Sequence, residues 1–205
     1  SSCAIYGVPE KLPVTEDESK KPESVYGESK LMFETILSWY QKIHGINYIN
    51  LRYFNAAGAD PQARLGERHV PETHLIPLVL EVANNRRPSI SIFGDDYDTP
   101  DGTCIRDYVH VIDICRAHLL AYKHMEINSG TNMSINIGTG EGHYVKEVVD
   151  KANEILHNGE MTVKIAERRD GDVPYLVADT TRIKETIGFN PEYSLDDILE
   201  SMKNG

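Results

Sequence analysis

Cysteine is scarce in this sequence: only Cys3, Cys104 and Cys115 occur in 205 residues, with no Cys-x-x-Cys pair. An odd number at irregular spacing excludes a disulfide framework, and the expected compartment is the reducing cytoplasm. Clustered positive charge is missing too. The formal net charge is -11, and the only basic pairs are Lys20-Lys21, Arg86-Arg87 and Arg168-Arg169. A nucleic-acid surface needs grouped Lys and Arg to displace counterions, so no nucleic acid is expected as a partner. No apolar run reaches membrane length and no signal-peptide pattern occurs, so no membrane partner is expected either. An initiating methionine is also absent. The sequence opens at Ser1 directly in functional-looking residues, and it reads as a fragment lacking an amino-terminal part. What remains is ample for folding: 40% hydrophobic residues can bury a core as one large domain or as parts of two.

The most informative stretch is Tyr26-Gly27-Glu28-Ser29-Lys30, the opening of a helix. Residues four apart share a helix face, so the Tyr26 phenol and the Lys30 ammonium can enter one small volume. A cation held close to a phenol favours the phenolate, which makes Tyr26 a candidate general base. The pair alone is a weak signal and its neighbours must decide. Phe33, Leu37 and Tyr40 give the same helix an apolar stripe, and Gly45 ends it.

The rest of the chain alternates helix and strand. Ser1 to Gly7 reads as the end of a buried strand, and Pro13 to Ser24 as a surface loop. Ile46 to Phe54 is a strand running into the small-residue loop Asn55-Ala56-Ala57-Gly58, a helix-to-strand step typical of a doubly wound sheet. A helix starts at His74-Leu75-Ile76-Pro77 and stops at Arg86-Arg87-Pro88; Ser89 to Phe93 alternates as a strand. The acidic loop Gly94 to Thr103 lacks the Glu that closes a calcium loop, so no metal is expected. Beyond Arg106-Asp107-Tyr108-Val109-His110-Val111 lies a helix with Ile114, Ala117, His118 and Ala121 on one face. His118 reads as a core or boundary residue. Asn136 to Gly142 has glycines in a Gly-x-Gly-x-Gly pattern, which does not fit a dinucleotide loop and reads as a tight turn. The helix after it has an apolar face of Val145, Val148, Val149, Ala152, Ile155 and Leu156. Met161 to Ile165 is a strand, Arg168 to Pro174 a charged turn, and a last helix begins near Ser194, with Asp197 completing part of a capping box and Leu195, Ile198, Leu199 and Met202 inward.

Four stretches together resemble the carboxyl-terminal portion of UDP-glucose 4-epimerases, within the extended short-chain dehydrogenase/reductase family. They are Ser1 to Gly7, Tyr26 to Lys30, Leu51-Arg52-Tyr53-Phe54-Asn55-Ala56-Ala57-Gly58-Ala59, and the run from Phe93 through Asp101-Gly102-Thr103 to Val111. The resemblance covers essentially the whole chain. It implies an α/β fold: a partial doubly wound, Rossmann-like parallel sheet plus a smaller α/β substrate-binding domain. Residues 1–55 would belong to the NAD-binding part and 56–205 mainly to the UDP-sugar-binding part, with about 104–125 returning to the first.

The implied activity is interconversion of UDP-galactose and UDP-glucose through an NAD-bound 4-keto intermediate. By motif, Tyr26 is the base, Lys30 lowers its pKa and holds the nicotinamide ribose, and Ser2 hydrogen-bonds the sugar O4 and relays its proton. Tyr26, Lys30 and Tyr53 fall at cofactor contacts. Arg106 and Arg169 match diphosphate-binding arginines, and Asn55 a diphosphate or sugar contact. Ser91 and Phe93 match the uracil-binding strand, Leu75 and Val145 its walls, and Asp172 the carboxylate on the uridine ribose. His74 stands where many relatives have asparagine, and Arg68 where the loop is usually acidic. Leu176 replaces a bulky tyrosine of some relatives, so an N-acetylated UDP-sugar would be admitted. The resemblance also implies a homodimer built partly on the Tyr26 helix. The glycine-rich βαβ unit for the NAD pyrophosphate is not in this sequence, so the chain alone is expected to retain NAD weakly and turn over little. Two other readings stay open, a sister nucleotide-sugar dehydratase or decarboxylase and a non-catalytic UDP-sugar-binding module. Cys3-Ala4 after Ser2, which supply no acid/base pair, argue against the first.

Overall fold

Among the described residues, five pairings of short strands, four of them parallel, organise the fold. The computed structural model describes residues 1–156 and 161–204. A one-turn 3-10 helix, Cys3–Ile5, precedes helix α1 (Val25–His44), strands β1 (Tyr48–Tyr53) and β2 (Asn55–Ala57), and helix α2 (Leu75–Ala83). Then come β3 (Ile90–Phe93), β4 (Ile105–Arg106), β5 (Tyr108–His110), α3 (Val111–Ile127), β6 (Asn132–Ile137) and β7 (His143–Tyr144). The described elements close with α4 (Val145–Leu156), β8 (Val163–Ala166), β9 (Tyr175–Leu176), α5 (Thr181–Ile187), α6 (Leu195–Ser201) and a 3-10 turn, Met202–Asn204. β1 pairs with β6, β2 with β5, β3 with β8 and β4 with β9, all parallel, and β7 adds antiparallel to β4. Parallel strands joined through helices make this the expected α/β, Rossmann-like arrangement.

Among the described residues, three apolar clusters hold these layers. One joins Leu51 and Val109 to Ile114, Ala117 and Ala121 of α3, Ile135 and Ile137 of β6, and Ile183 and Phe189. A second packs α2, β3, α4 and α6 through Val79, Ile90, Ile92, Val148, Val149, Ala152, Ile198 and Leu199. The third surrounds the opening turn with Ile5, Tyr6, Val14, Phe54 and Leu176. The apolar faces of α4 and α6 are those the sequence spacing predicts. Ser194 and Asp197 form a complete capping box, where the spacing promised part of one.

Several expectations are corrected. Ser1 to Gly7 is no strand: Ser2 makes a single bridge to Tyr53, and its hydroxyl then caps the 3-10 turn by accepting from Ala4 N at 3.2 Å. Hydroxyl side chains compete for backbone donors in this way and end extended structure early. The stripe on α1 faces outward, with Phe33 58% and Tyr40 50% exposed. α1 buries only Gly27 and Glu34. α2 stops at Ala83, ahead of the Arg86-Arg87-Pro88 stop, because Asn85 takes a left-handed backbone at φ 56°. β7 separates the Asn136 to Gly142 turn from α4. His118 lies on the exposed edge of its helix and meets the Tyr53 hydroxyl at 2.7 Å.

α1 is held by charge rather than by apolar area. Arg52, 2% exposed, donates from Nε to Glu34 Oε1 at 2.9 Å and from Nη2 to Oε2 at 2.7 Å. Its Nη1 donates to the Tyr6 hydroxyl at 2.8 Å and to the Glu16 carbonyl at 3.1 Å. Tyr6 in turn donates to Asn136 Oδ1 at 2.6 Å. A bidentate guanidinium pair inside a satisfied network has a fixed geometry. It therefore locks α1 to β1, the strand that leads to Tyr53 and Asn55.

Candidate active site

Tyr26 sits in the first turn of α1 because Ser24 caps that helix, accepting from Gly27 N at 3.1 Å. Gly27 lets the helix approach the opening turn: a Cβ there would lie 2.4 Å from the Ala4 carbonyl oxygen. Only glycine fits so close a contact. The approach brings Tyr26 and Ser2 to one cavity of about 1010 Å3, also lined by Tyr53, Asn55, His74, Arg106 and Leu176. Lys30 does not line it. Its ammonium lies 5.1 Å from the centre of the Tyr26 ring, within the range of a cation–π contact.

A second cavity, of about 190 Å3, is lined by Asn55, His74, Leu75, Ser91, Phe93, Arg106, Val145, Arg169 and Asp172, with Thr73, Leu78, Ile92, Cys104 and Tyr108. Strand alternation explains the first of these choices. Ile90 and Ile92 of β3 point into the core, so Ser91 and Phe93 must point the other way, into the cavity. Leu75 and Val145 are the first residues of α2 and α4, whose amino-terminal ends carry partial positive charge. No side chain caps the α2 end at His74. Arg106 donates to the Ile105 carbonyl at 2.9 Å and to Asp172 Oδ1 at 3.3 Å. Arg169 lies 3.8 Å from the centre of the Phe93 ring. Two guanidinium groups and two helix starts around one small volume suit an anion beside a flat ring.

Asn55, His74 and Arg106 line both cavities. Leu176 faces only the larger one, placed by its register partner Arg106 across β4 and β9. Nine of the ten substrate-contact residues singled out from sequence thus share the small cavity, and the tenth shares the large one with Ser2 and Tyr26. Tyr108 is a lining residue the sequence reading missed. It stands two positions beyond Arg106, a spacing that in an extended segment returns a side chain to the same side. Its burial pushes the phenol well above its ordinary range, with Arg106 opposing. Burial likewise pushes the Cys3 thiol up to about 12, with Arg106 nearby working the other way.

The glycine-rich turn after β6 is occupied by the protein itself. The fully buried Asp107 carboxylate accepts from Thr139 N and its hydroxyl at 2.8 Å each, from Gly140 N at 3.0 Å and from Ala178 N at 3.2 Å. A Cβ on Gly138 would stand 2.3 Å from that carboxylate. The turn cradles an internal anion rather than a phosphate.

A family model described as GDP-mannose 4,6 dehydratase matches residues 1–202. The chain is 44% identical over its whole length to a UDP-glucose 4-epimerase of Halalkalibacterium halodurans, of which it covers 61%. It is 46% identical, over 98% of its length, to one of Azospirillum brasilense, of which it covers 58%. Among solved structures, the UDP-glucose 4-epimerase from Brucella ovis in complex with NAD superposes with a TM-score of 0.93 at 45% identity, over 99% of this chain and 62% of that one. The Bifidobacterium longum enzyme in complex with NAD+ and UDP superposes at 0.92 with 35% identity, over 100% of this chain and 61% of that one. The chain thus spans about three fifths of the length of these relatives. Matched along residues 1–202, and sharing its Rossmann-like fold with these structures, it belongs to the family described as GDP-mannose 4,6 dehydratase.

Proposed function

We propose that the protein interconverts UDP-glucose and UDP-galactose, with this chain supplying the base and most of the substrate contacts. One observation carries the reading. A cavity suited to a nucleoside diphosphate shares Asn55, His74 and Arg106 with a larger cavity where Ser2 and Tyr26 meet. Relatives and solved structures named UDP-glucose 4-epimerase support it.

In this reading Arg106 and Arg169 pair with the diphosphate, Phe93 and Ser91 hold the uracil between Leu75 and Val145, and Asp172 accepts from the ribose. Tyr26 removes the proton of the sugar 4-hydroxyl, directly or through the Ser2 hydroxyl, and Lys30 keeps positive charge beside the phenol. The residues bordering the large cavity fit the nicotinamide end of NAD: Tyr26 and Tyr53 line it, and Lys30 stands against the Tyr26 ring. Bound there, NAD would supply the acceptor for the C4 hydride and return it. The sugar must present its other face between these events, and a cavity of about 1010 Å3 leaves room for that. Dehydration would instead need an acid/base pair next to Ser2. Cys3, with its thiol pushed up to about 12, and Ala4 supply neither.

The exposed apolar face of α1 supports a second copy of the chain as partner, and three free cysteines fit a cytoplasmic setting. Among the described residues no helix is long and apolar enough to cross a membrane. Conversion of UDP-galactose to UDP-glucose by the complete protein with NAD, read by chromatography, tests the proposal. Tyr26→Phe is expected to lower turnover by two or more orders of magnitude, the typical worth of a general base. Unchanged turnover in Tyr26→Phe, or a stable keto sugar as the product, would sink the reading.

A further inference from the structure

The loop between β2 and α2 gathers four side chains that the proposed chemistry does not use as a set. Glu67, His69, Glu72 and His74 bring one ligand atom each to within 4.8 Å of one another. Both histidines present Nδ1 to the same oxygen, Glu67 Oε1, at 3.0 Å from His69 and 2.6 Å from His74. Nδ1 of His74 lies 3.5 Å from Glu72 Oε1, and that of His69 lies 3.7 Å from Glu72 Oε2. Zinc holds nitrogen and oxygen ligands at about 2.0–2.2 Å in a tetrahedron, which sets its donors roughly 3.3 Å apart. The four separations bracket that value.

Two carboxylates and two imidazoles converge here, a mixed nitrogen and oxygen donor set of the kind a divalent transition cation takes. Glu72 is already oriented, accepting from Thr73 N at 2.7 Å and from His74 N at 2.8 Å. A carboxylate fixed by outer hydrogen bonds is the arrangement found around metal ligands. Mixed imidazole and carboxylate donors favour zinc and its first-row neighbours over magnesium or calcium, which take oxygen alone.

We propose that Glu67, His69, Glu72 and His74 bind one divalent transition cation of the zinc class and so pin this loop at the rim of the large cavity. The sequence reading expects no metal because it weighs only the acidic loop at Gly94 to Thr103. The spacing Glu67-x-His69-x-x-Glu72-x-His74 becomes a donor set only once the loop folds. Glu67, His69 and His74 all line the large cavity, so the ion would fix one of its edges. The inference does not depend on which sugar the protein handles.

The test is titration of the complete protein, stripped with a chelator, with cobalt(II) chloride and then zinc chloride. One equivalent of cobalt is expected to give the intense visible absorption of a tetrahedral site, removed by stoichiometric zinc and untouched by magnesium. His69→Ala and the conservative Glu67→Gln are each expected to weaken cobalt binding by on the order of tenfold or more, with an unchanged far-ultraviolet circular dichroism spectrum. Absence of a saturable one-to-one signal in the unmodified protein overturns the proposal. So does equal cobalt affinity in either folded variant.

Discussion

Replacing Glu34 by alanine probes what holds the helix that carries Tyr26. The substitution leaves the Arg52 guanidinium 2% exposed without its bidentate partner, while the Tyr6 hydroxyl and the Glu16 carbonyl still accept from it. Those two neutral acceptors do not balance the charge. Breaking one side of a buried ion pair costs about 3–5 kcal/mol, because the remaining charge stays buried and uncompensated. The expected loss for Glu34→Ala lies in that range, measured by equilibrium urea denaturation of the complete protein. Arg52→Met combined with Glu34→Ala removes both charges, so the double variant is expected to lose clearly less than the sum of the two single losses. Glu34 lies about two helical turns from Tyr26. Loosening its end of α1 should therefore lower kcat more than it raises KM for the nucleotide sugar. A loss below about 1 kcal/mol for Glu34→Ala, the worth of an exposed pair, would refute the reasoning.

The same carboxyl predicts an acid limit. Burial raises the Glu34 pKa, but hydrogen bonds from Arg52 and Ser1 outweigh it and hold the group below 4.5. Because the folded value is the lower one, the stabilisation is complete above pH 4.5 and drains away as pH falls through the folded pKa. The urea midpoint should drop below pH 4.5, less steeply in Glu34→Gln; parallel profiles would contradict this. In the smaller cavity, Arg169→Ala should weaken UDP binding by roughly 10- to 100-fold, the worth of a charged hydrogen bond. Arg168→Ala should do much less, since Arg168 is already tied to Asp96 at 2.7 Å. Equal losses in calorimetric titration would show that the two arginines have been assigned wrongly. Leu176→Tyr should abolish turnover of UDP-N-acetylglucosamine and spare UDP-galactose, and product assays showing both sugars equally affected would remove Leu176 as the size filter.

Periodic segments were the legible ones. α4 and α6 could be read from apolar spacing because each buries one continuous face against the second cluster. The family resemblance points to Ser91 and Phe93, and their alternation with the buried Ile90 and Ile92 explains why they line the cavity. The opening of α1 and its Gly45 stop are legible too, but not the outward direction of its apolar stripe, nor its anchor, the charged Glu34. The two-residue strands β4 and β9 carry no period at all. Their pairing sets Arg106 beside Leu176, and it depends on contacts far apart in sequence. The meeting of Arg169 with Phe93, and of Glu67 with His69, Glu72 and His74, is likewise tertiary and invisible to local spacing.

The wall formed by Asn55, His74 and Arg106 belongs to two compartments at once. They therefore cannot be tuned separately. A ligand that shifts or steadies Arg106 in the smaller compartment alters the shape of the larger, and by linkage the reverse holds with equal free energy. In the proposed reading, nucleotide recognition would then act as a gate on the sugar chemistry, since binding energy gathered at the diphosphate would help bring the reacting groups into register. Discrimination against unattached sugars would belong to the shared partition of Asn55, His74 and Arg106 rather than to Tyr26 or Ser2.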